Sequence, residues 1–122
     1  MQAITIKSEI LQTKYYFLGN FIEEKKAEAF KENTEGFKKI MQENRITELK
    51  NLWEKLFNYW DEVEQWEYMK EIEVPAEDMI KEQKKVLKYE KEYNEELKNI
   101  FNIKNTFEPS EDFFKALARL TF

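Results

Sequence analysis

Glu64, Glu67 and Glu71 follow one another at intervals of three and four residues, so on a helix each lies about one turn from the next. Carboxylates so placed could hold a metal ion or divide the roles of general acid and general base. The rest of the chain does not support that chemistry. Histidine and cysteine are both absent, which removes the commonest general base, the usual nucleophile and base pairs, and the nitrogen and sulfur ligands of zinc. Carboxylate metal sites in helical bundles draw ligands from several facing helices and include Glu-x-x-His motifs, which this sequence cannot form. Gly19 and Gly36 are isolated, and neither leads into a Lys-Ser or Lys-Thr pair, so no phosphate loop of that kind exists. The expectation is a non-enzymatic protein with no cofactor and no metal, most of whose carboxylates are simply solvated.

The same carboxylates matter as a field. Between Asp61 and Glu82 stand nine acids against two lysines, a local balance of −7, whereas the whole chain carries −5 and everything outside the segment therefore sums to +2. All three tryptophans, Trp53, Trp60 and Trp66, run directly into it. Trp53 and Trp60 are seven residues apart in an apolar stripe and read as core. Trp66 and Tyr68 lie beyond Val63, where the stripe gives way to charge, and are expected to be exposed among carboxylates. Tryptophan and tyrosine are common interface anchors, and a negative field speeds the approach of a basic partner. The candidate partner-binding residues are Glu64, Trp66, Glu67, Tyr68, Glu71, Glu73, Glu77 and Asp78. Two glutamates, Glu67 and Glu90, project toward the middle of apolar arcs. A charge buried there would need a partner such as Arg45, Arg119 or a lysine, unless the helix outruns the core and leaves Glu67 wet.

Helices must position these residues. Two glycines and two prolines leave too few tight turns for a sandwich or barrel, and 37% charged beside 42% hydrophobic residues suits helices with one buried stripe and a charged outer face. The chain is predicted to be all-α, a single domain over 1–122 built as a bundle of four to five helices near 8–32, 34–44, 47–72, 76–101 and 110–120. A short strand or extended arm at 2–7 would precede them, where Ile4 and Ile6 alternate with Thr5. Ser8 is an N-cap candidate for the first helix, and Gly19 inside it, at a cost of ~1 kcal/mol relative to alanine, is expected to mark a close helix crossing. Asn33 and Thr34 read as a stop and a new cap, with continuation through Gly36 as the rival. Thr47 reads as the cap of the next helix.

That helix carries Leu49, Leu52, Trp53, Leu56, Trp60 and Val63 on one arc, flanked by Tyr59 and Trp66 on one side and by Phe57 and Tyr68 on the other. Its apolar surface is wider than one neighbour needs, so it is either central or keeps a flank for binding. Pro75 ends it near Ile72 and opens the fourth helix, with Glu77 and Asp78 in the first turn where the helix dipole favours them. Met79, Val86, Tyr93, Leu97 and Ile100 share one face of the fourth helix and five lysines (Lys81, Lys84, Lys88, Lys91, Lys98) the opposite one.

Glu92 and Glu95 interrupt the lysine face and the chain is acidic overall, so direct nucleic-acid binding is not expected. Anionic lipid would repel the acidic segment, and no apolar run nears the ~20 residues of a membrane span. No signal region opens the chain, and a cytoplasmic protein is the simplest reading. Two functions remain. The first is a small acidic regulator or inhibitor whose carboxylates engage the basic, nucleic-acid-binding surface of a larger protein. In size, charge and composition alone it resembles helical proteins of phages and mobile elements that block host nucleases or polymerases. The second is a structural subunit or assembly chaperone, a homodimer or hetero-oligomer closed by a flank of the third helix or by Phe113, Phe114, Leu117 and Leu120.

Overall fold

Neither proline falls inside a long apolar-periodic stretch, and helix propagates through each such stretch. The computed structural model describes the backbone of residues 4–31, 37–102, 115 and 118–120, and their side chains except at 29–31, 37–44, 101 and 102. Three long helices result: α1 (Ser8–Lys31), α2 (Phe37–Glu71) and α3 (Ala76–Asn102). A short helical stretch at 118–120 follows, and no strand occurs among the described residues.

This is coarser than the expected four to five helices, because the predicted break at Thr47 does not occur. No glycine or proline lies between Phe37 and Glu71, and a threonine inside a helix costs only a few tenths of a kcal/mol relative to good helix formers, ~0.5. Continuity keeps Ile46 packed against the core and Leu49 buried within it, which outweighs the capping preference of Thr47. The second predicted helix and the third are therefore one. The predicted cap at Asn33 and Thr34 and much of the predicted terminal helix, including Phe113, Phe114 and Leu117, lie outside the described residues. Residues 4–7 take the form of an arm without regular structure whose Ile4 and Ile6 pack against the core.

α2 is the shared wall. Leu49, Leu52, Leu56, Tyr59 and Val63 are buried along it, and the core is completed by Leu11, Leu18, Phe21 and Ile22 of α1, Val86, Tyr93, Leu97 and Ile100 of α3, and Leu120. Each such side chain contributes roughly 1.5–3 kcal/mol relative to exposure. Both neighbours run antiparallel to α2. Ser8 at the start of α1 meets Glu67 near the end of α2, and Tyr59 of α2 meets Glu90 of α3. The end of the chain docks through Leu120, whose carbonyl accepts hydrogen bonds from the Tyr93 hydroxyl at 3.0 Å and the Lys14 ammonium at 3.2 Å. That part of the predicted terminal interface is thus used within the fold.

The α2–α3 turn forms where Pro75 forbids continuation. Glu73 takes a left-handed conformation with φ of 54°. Around it the Val74 N–H donates to the Met69 carbonyl at 3.3 Å and the Ile72 N–H to the Tyr68 carbonyl at 3.1 Å, so two of the last four carbonyls of α2 are satisfied. The Pro75 carbonyl then accepts the first bonds of α3, from Asp78 and Met79.

Gly19 sets how closely α1 approaches α2. A Cβ there would meet Trp53 Nε1 at 3.2 Å and Cε2 at 3.5 Å. Gly19→Ala gains ~1 kcal/mol of helix propensity and loses a similar amount by crowding the indole, so urea unfolding is expected to place it within ~1 kcal/mol of the wild type. Gly19→Leu has no room and is expected to lower stability by ~2 kcal/mol or more. A wild-type midpoint for Gly19→Leu would mean that the crossing is not close.

Candidate functional site

The acidic segment splits in two once its helices pack. Trp66 is half-buried against the core rather than free among carboxylates. Glu67 is also half-buried and has a partner, although not the cation expected from the sequence. Its carboxylate accepts the Ser8 backbone N–H at 2.9 Å on one oxygen and the Ser8 hydroxyl on the other. The first free amide of α1 is thereby capped from a neighbouring helix, with a carboxylate where the dipole favours one. Ser8 acts as a donor to Glu67 instead of as the cap itself. Glu90, for which the sequence suggested Arg45, Arg119 or a lysine, accepts a hydrogen bond from the Tyr59 hydroxyl at 2.9 Å. Burial first, and then the Glu90 carboxylate, push the Tyr59 phenol above its ordinary range, which keeps it a donor.

Glu82 is the acid that the sequence reading placed on the surface and the fold does not. It is only 5% exposed, its Oε1 has no hydrogen-bond partner, and Glu62 of α2 is its strongest electrostatic neighbour. Its spacing from Met79 and Val86 marks it as a member of the buried face of α3. Burial first, and then Glu62, with a smaller push from Asp61, raise its carboxyl to about 7 against the opposing pull of Lys85. A buried carboxyl with another carboxyl beside it is costly to ionise and so holds its proton to higher pH.

What remains outside is a surface. Glu64, Glu71, Glu73, Glu77 and Asp78 are all exposed, as are Asp61 and Glu54. Tyr68 in the last turn of α2 and Ile72 just beyond it are 56% and 53% exposed, and Ile80 of α3 is exposed near them in the chain. Of the two flanks of α2, the one with Tyr59 and Trp66 is covered and the one with Phe57 and Tyr68 is left in solvent. Glu54, Phe57, Asp61, Glu64, Tyr68 and Glu71 follow at steps of three and four, so they form one exposed stripe in which two rings are set among four carboxylates. From Phe57 to Tyr68 it rises roughly 16 Å at 1.5 Å per residue. It runs into the acids of the turn.

An aromatic cluster sits at the other end of the stripe. Tyr15 of α1 stacks on Trp53 with ring centroids 4.7 Å apart and planes 9° from parallel, and the Trp53 indole N–H donates to the Tyr15 carbonyl at 3.0 Å. Phe57 lies 5.6 Å from Tyr15 and 5.9 Å from Trp60, and Tyr16 lies 6.2 Å from Trp60. Trp53 and Trp60 thus join the edge of the core, half-buried. A shallow depression of about 320 Å³ opens there, lined by Tyr15, Trp53, Glu54, Phe57 and Asn58. Neither the exposed flank nor this depression is specified by composition. The helical spacing of Phe57 and Tyr68 was the available signal.

Among the described residues no group of three or more acids is arranged to hold a metal ion, and no helix is long and apolar enough to cross a membrane.

The Glu82 pair carries a pH signature. The folded carboxyl keeps its proton up to about pH 7 while an unfolded one releases it near 4.5. The stability it lends is therefore full below 4.5 and is lost as pH rises through 7. Glu82→Gln is expected to be progressively more stable than the wild type between pH 5 and pH 8, by on the order of 1 to 3 kcal/mol at the alkaline end. Parallel stability curves for the two proteins across that range in urea titrations would contradict the buried pair. No family model, no curated protein and no solved structure matches the chain.

Proposed function

We propose that the protein is a non-enzymatic binding module, a small acidic regulator or inhibitor of the kind made by phages and mobile elements, that occupies the basic, nucleic-acid-binding surface of a larger protein. The observation that carries this reading is the exposed stripe of α2, in which Phe57 and Tyr68 are set among Asp61, Glu64 and Glu71 and which continues into Glu73, Glu77 and Asp78. Spaced carboxylates offer a basic groove the charge that a nucleic-acid backbone would, and the rings supply desolvated anchors that a uniform charge lacks. Glu73 supports the reading from a different direction. Its left-handed backbone is a position glycine fills without strain, so a glutamate costs ~1 kcal/mol there. Strain kept at a charged, exposed turn is intelligible where that charge has work to do.

A structural subunit or assembly chaperone is the second reading, and the exposed Tyr16 and Phe57 favour it. Light scattering separates the two. A dimer that persists in high salt supports the second, and a monomer whose partner binding is salt-sensitive supports the first.

The test reverses charge at Glu64, Glu71, Glu73 and Glu77 together. Glu67 stays in place because it caps α1, and Glu82 because it is buried rather than on the surface. With the chains immobilised in extract from their native cells, the wild type is expected to retain a basic nucleic-acid-binding protein that duplex DNA and ~0.5 M salt release. The reversed variant, with unchanged helix content, is expected to retain none. Glu73→Gly is expected to gain ~1 kcal/mol of stability while weakening binding. An identical set of retained proteins for wild type and reversed variant overturns the reading.

A further inference from the structure

We propose that the depression between α1 and α2 is a socket for an arginine side chain of the partner, its guanidinium resting on the Phe57 ring and hydrogen-bonded to the Glu54 carboxylate. The inference rests on the reading of the protein as a binder of basic surfaces and names the contact at one end of the stripe.

The socket is lined by three aromatic rings, Tyr15, Trp53 and Phe57, together with one carboxylate and one amide, Glu54 and Asn58. At about 320 Å³ it lies at the small end of the range for ligand sites, about 300–1,000 Å³. Glu54, Phe57 and Asn58 stand at helical intervals of three and four, so all three face it from one turn of α2. Phe57 is 43% exposed. Glu54 is exposed and takes part in no ion pair among the described residues.

Charge decides the occupant. An apolar side chain filling the socket would cover the Glu54 carboxylate without compensating it, at a cost that aromatic contact does not recover. A nucleobase could stack on the rings, but its phosphates would meet Glu54, Asp61 and Glu64. A cation satisfies both the rings and the carboxylate, and cations over aromatic faces are attracted within about 6 Å of the centroid. Arginine fits better than lysine because a planar guanidinium can stack and present its forked donors to a carboxylate at once.

The chain shows the same chemistry on itself. Lys25 lies over Phe21 at 5.3 Å, Arg119 over Phe17 at 5.1 Å and Lys88 over Tyr89 at 5.6 Å. Among the described residues no cation of the chain lies over Phe57. The ring is stacked edgewise in its own cluster and open to solvent, next to a free carboxylate.

The test is a titration of the full chain with an oligo-arginine peptide and with a citrulline peptide of the same length, which keeps the planar group and loses the charge. The readout is the indole N–H resonance of Trp53, with those of Trp60 and Trp66 as references. The arginine peptide is expected to shift Trp53 saturably, and the citrulline peptide to leave it in place. Glu54→Gln and Phe57→Ala, both at exposed positions, are each expected to weaken the Trp53 titration by about fivefold or more, with helix content unchanged. Equal shifts from the citrulline peptide, or a Trp53 titration unchanged in both variants, overturn the proposal. So does a concentration-dependent dimer abolished by Phe57→Ala, because the occupant would then be a second copy of the chain. Failure of the socket is distinguishable from failure of the wider reading. Partner retention that is lost on charge reversal but insensitive to Glu54→Gln and Phe57→Ala removes the socket alone. A saturable Trp53 titration beside partner retention that ignores charge reversal removes the wider reading.

Discussion

α2 must bury apolar side chains on more than one side, and that requirement arranges the rest of the molecule. Its 35 residues present an arc too broad for a single neighbour, so α1 and α3 pack on it from two directions, each antiparallel to it. The approach of α1 is set by Gly19 against Trp53 and by Tyr15 stacked on the same indole. That of α3 is set by Val86, Tyr93 and Leu97 against the buried row from Leu49 to Val63. Two helices still do not cover the whole arc. The flank with Phe57 and Tyr68 stays in solvent, and the surface proposed to bind a partner is what the packing leaves over.

The same packing decides which acids are available. A carboxylate inside the fold has to find donors or keep its proton, and three routes appear here. Glu67 takes the first amide and the hydroxyl of Ser8, Glu90 takes the Tyr59 hydroxyl, and Glu82, buried beside Glu62, keeps its own proton to higher pH. For Glu67 and Glu90 the partners shown are hydrogen-bond donors, which spare the high cost of burying an ion pair. The acids left over lie on the exposed stripe and the turn. Their mutual repulsion is tolerable because each is solvated and screened over about 8–10 Å. A negative surface of this kind does little for stability and favours encounter with a basic one.

Much of the fold was legible in the sequence, since it depends on local rules. Pro75 stops one helix and starts another, the tryptophans seven apart lie at the core edge, the lysines of α3 face out, and Gly19 sits at a close crossing. Thr47 misled because a capping preference of about 1 kcal/mol is local, whereas the burial of Leu49 in register with Leu52 and Leu56 belongs to the whole helix. The spacing of Glu67 left open whether it faces inward or stays wet, and its partner Ser8 lies 59 positions away, where no periodicity reaches across helices. Glu82 carried a signal in its spacing from Met79 and Val86, outweighed by the charge of the segment around it. The surface was legible only as a concentration of charge. Its division into half-buried Trp66 and Glu67 and exposed Phe57, Glu64 and Tyr68 depends on which flank α1 and α3 leave open.

Side-chain oxidation by hydroxyl radicals, compared between the free chain and its complex with the native partner, reads that surface directly. Phe57 and Tyr68 are expected to be oxidised in the free chain and protected together in the complex, while the exposed Ile10 of α1 and the lysine-bearing face of α3 with Tyr89 react equally in both. Phe57 and Tyr68 remaining fully reactive in the complex, with protection falling on α1 or α3 instead, would contradict the assignment of the α2 stripe as the working surface.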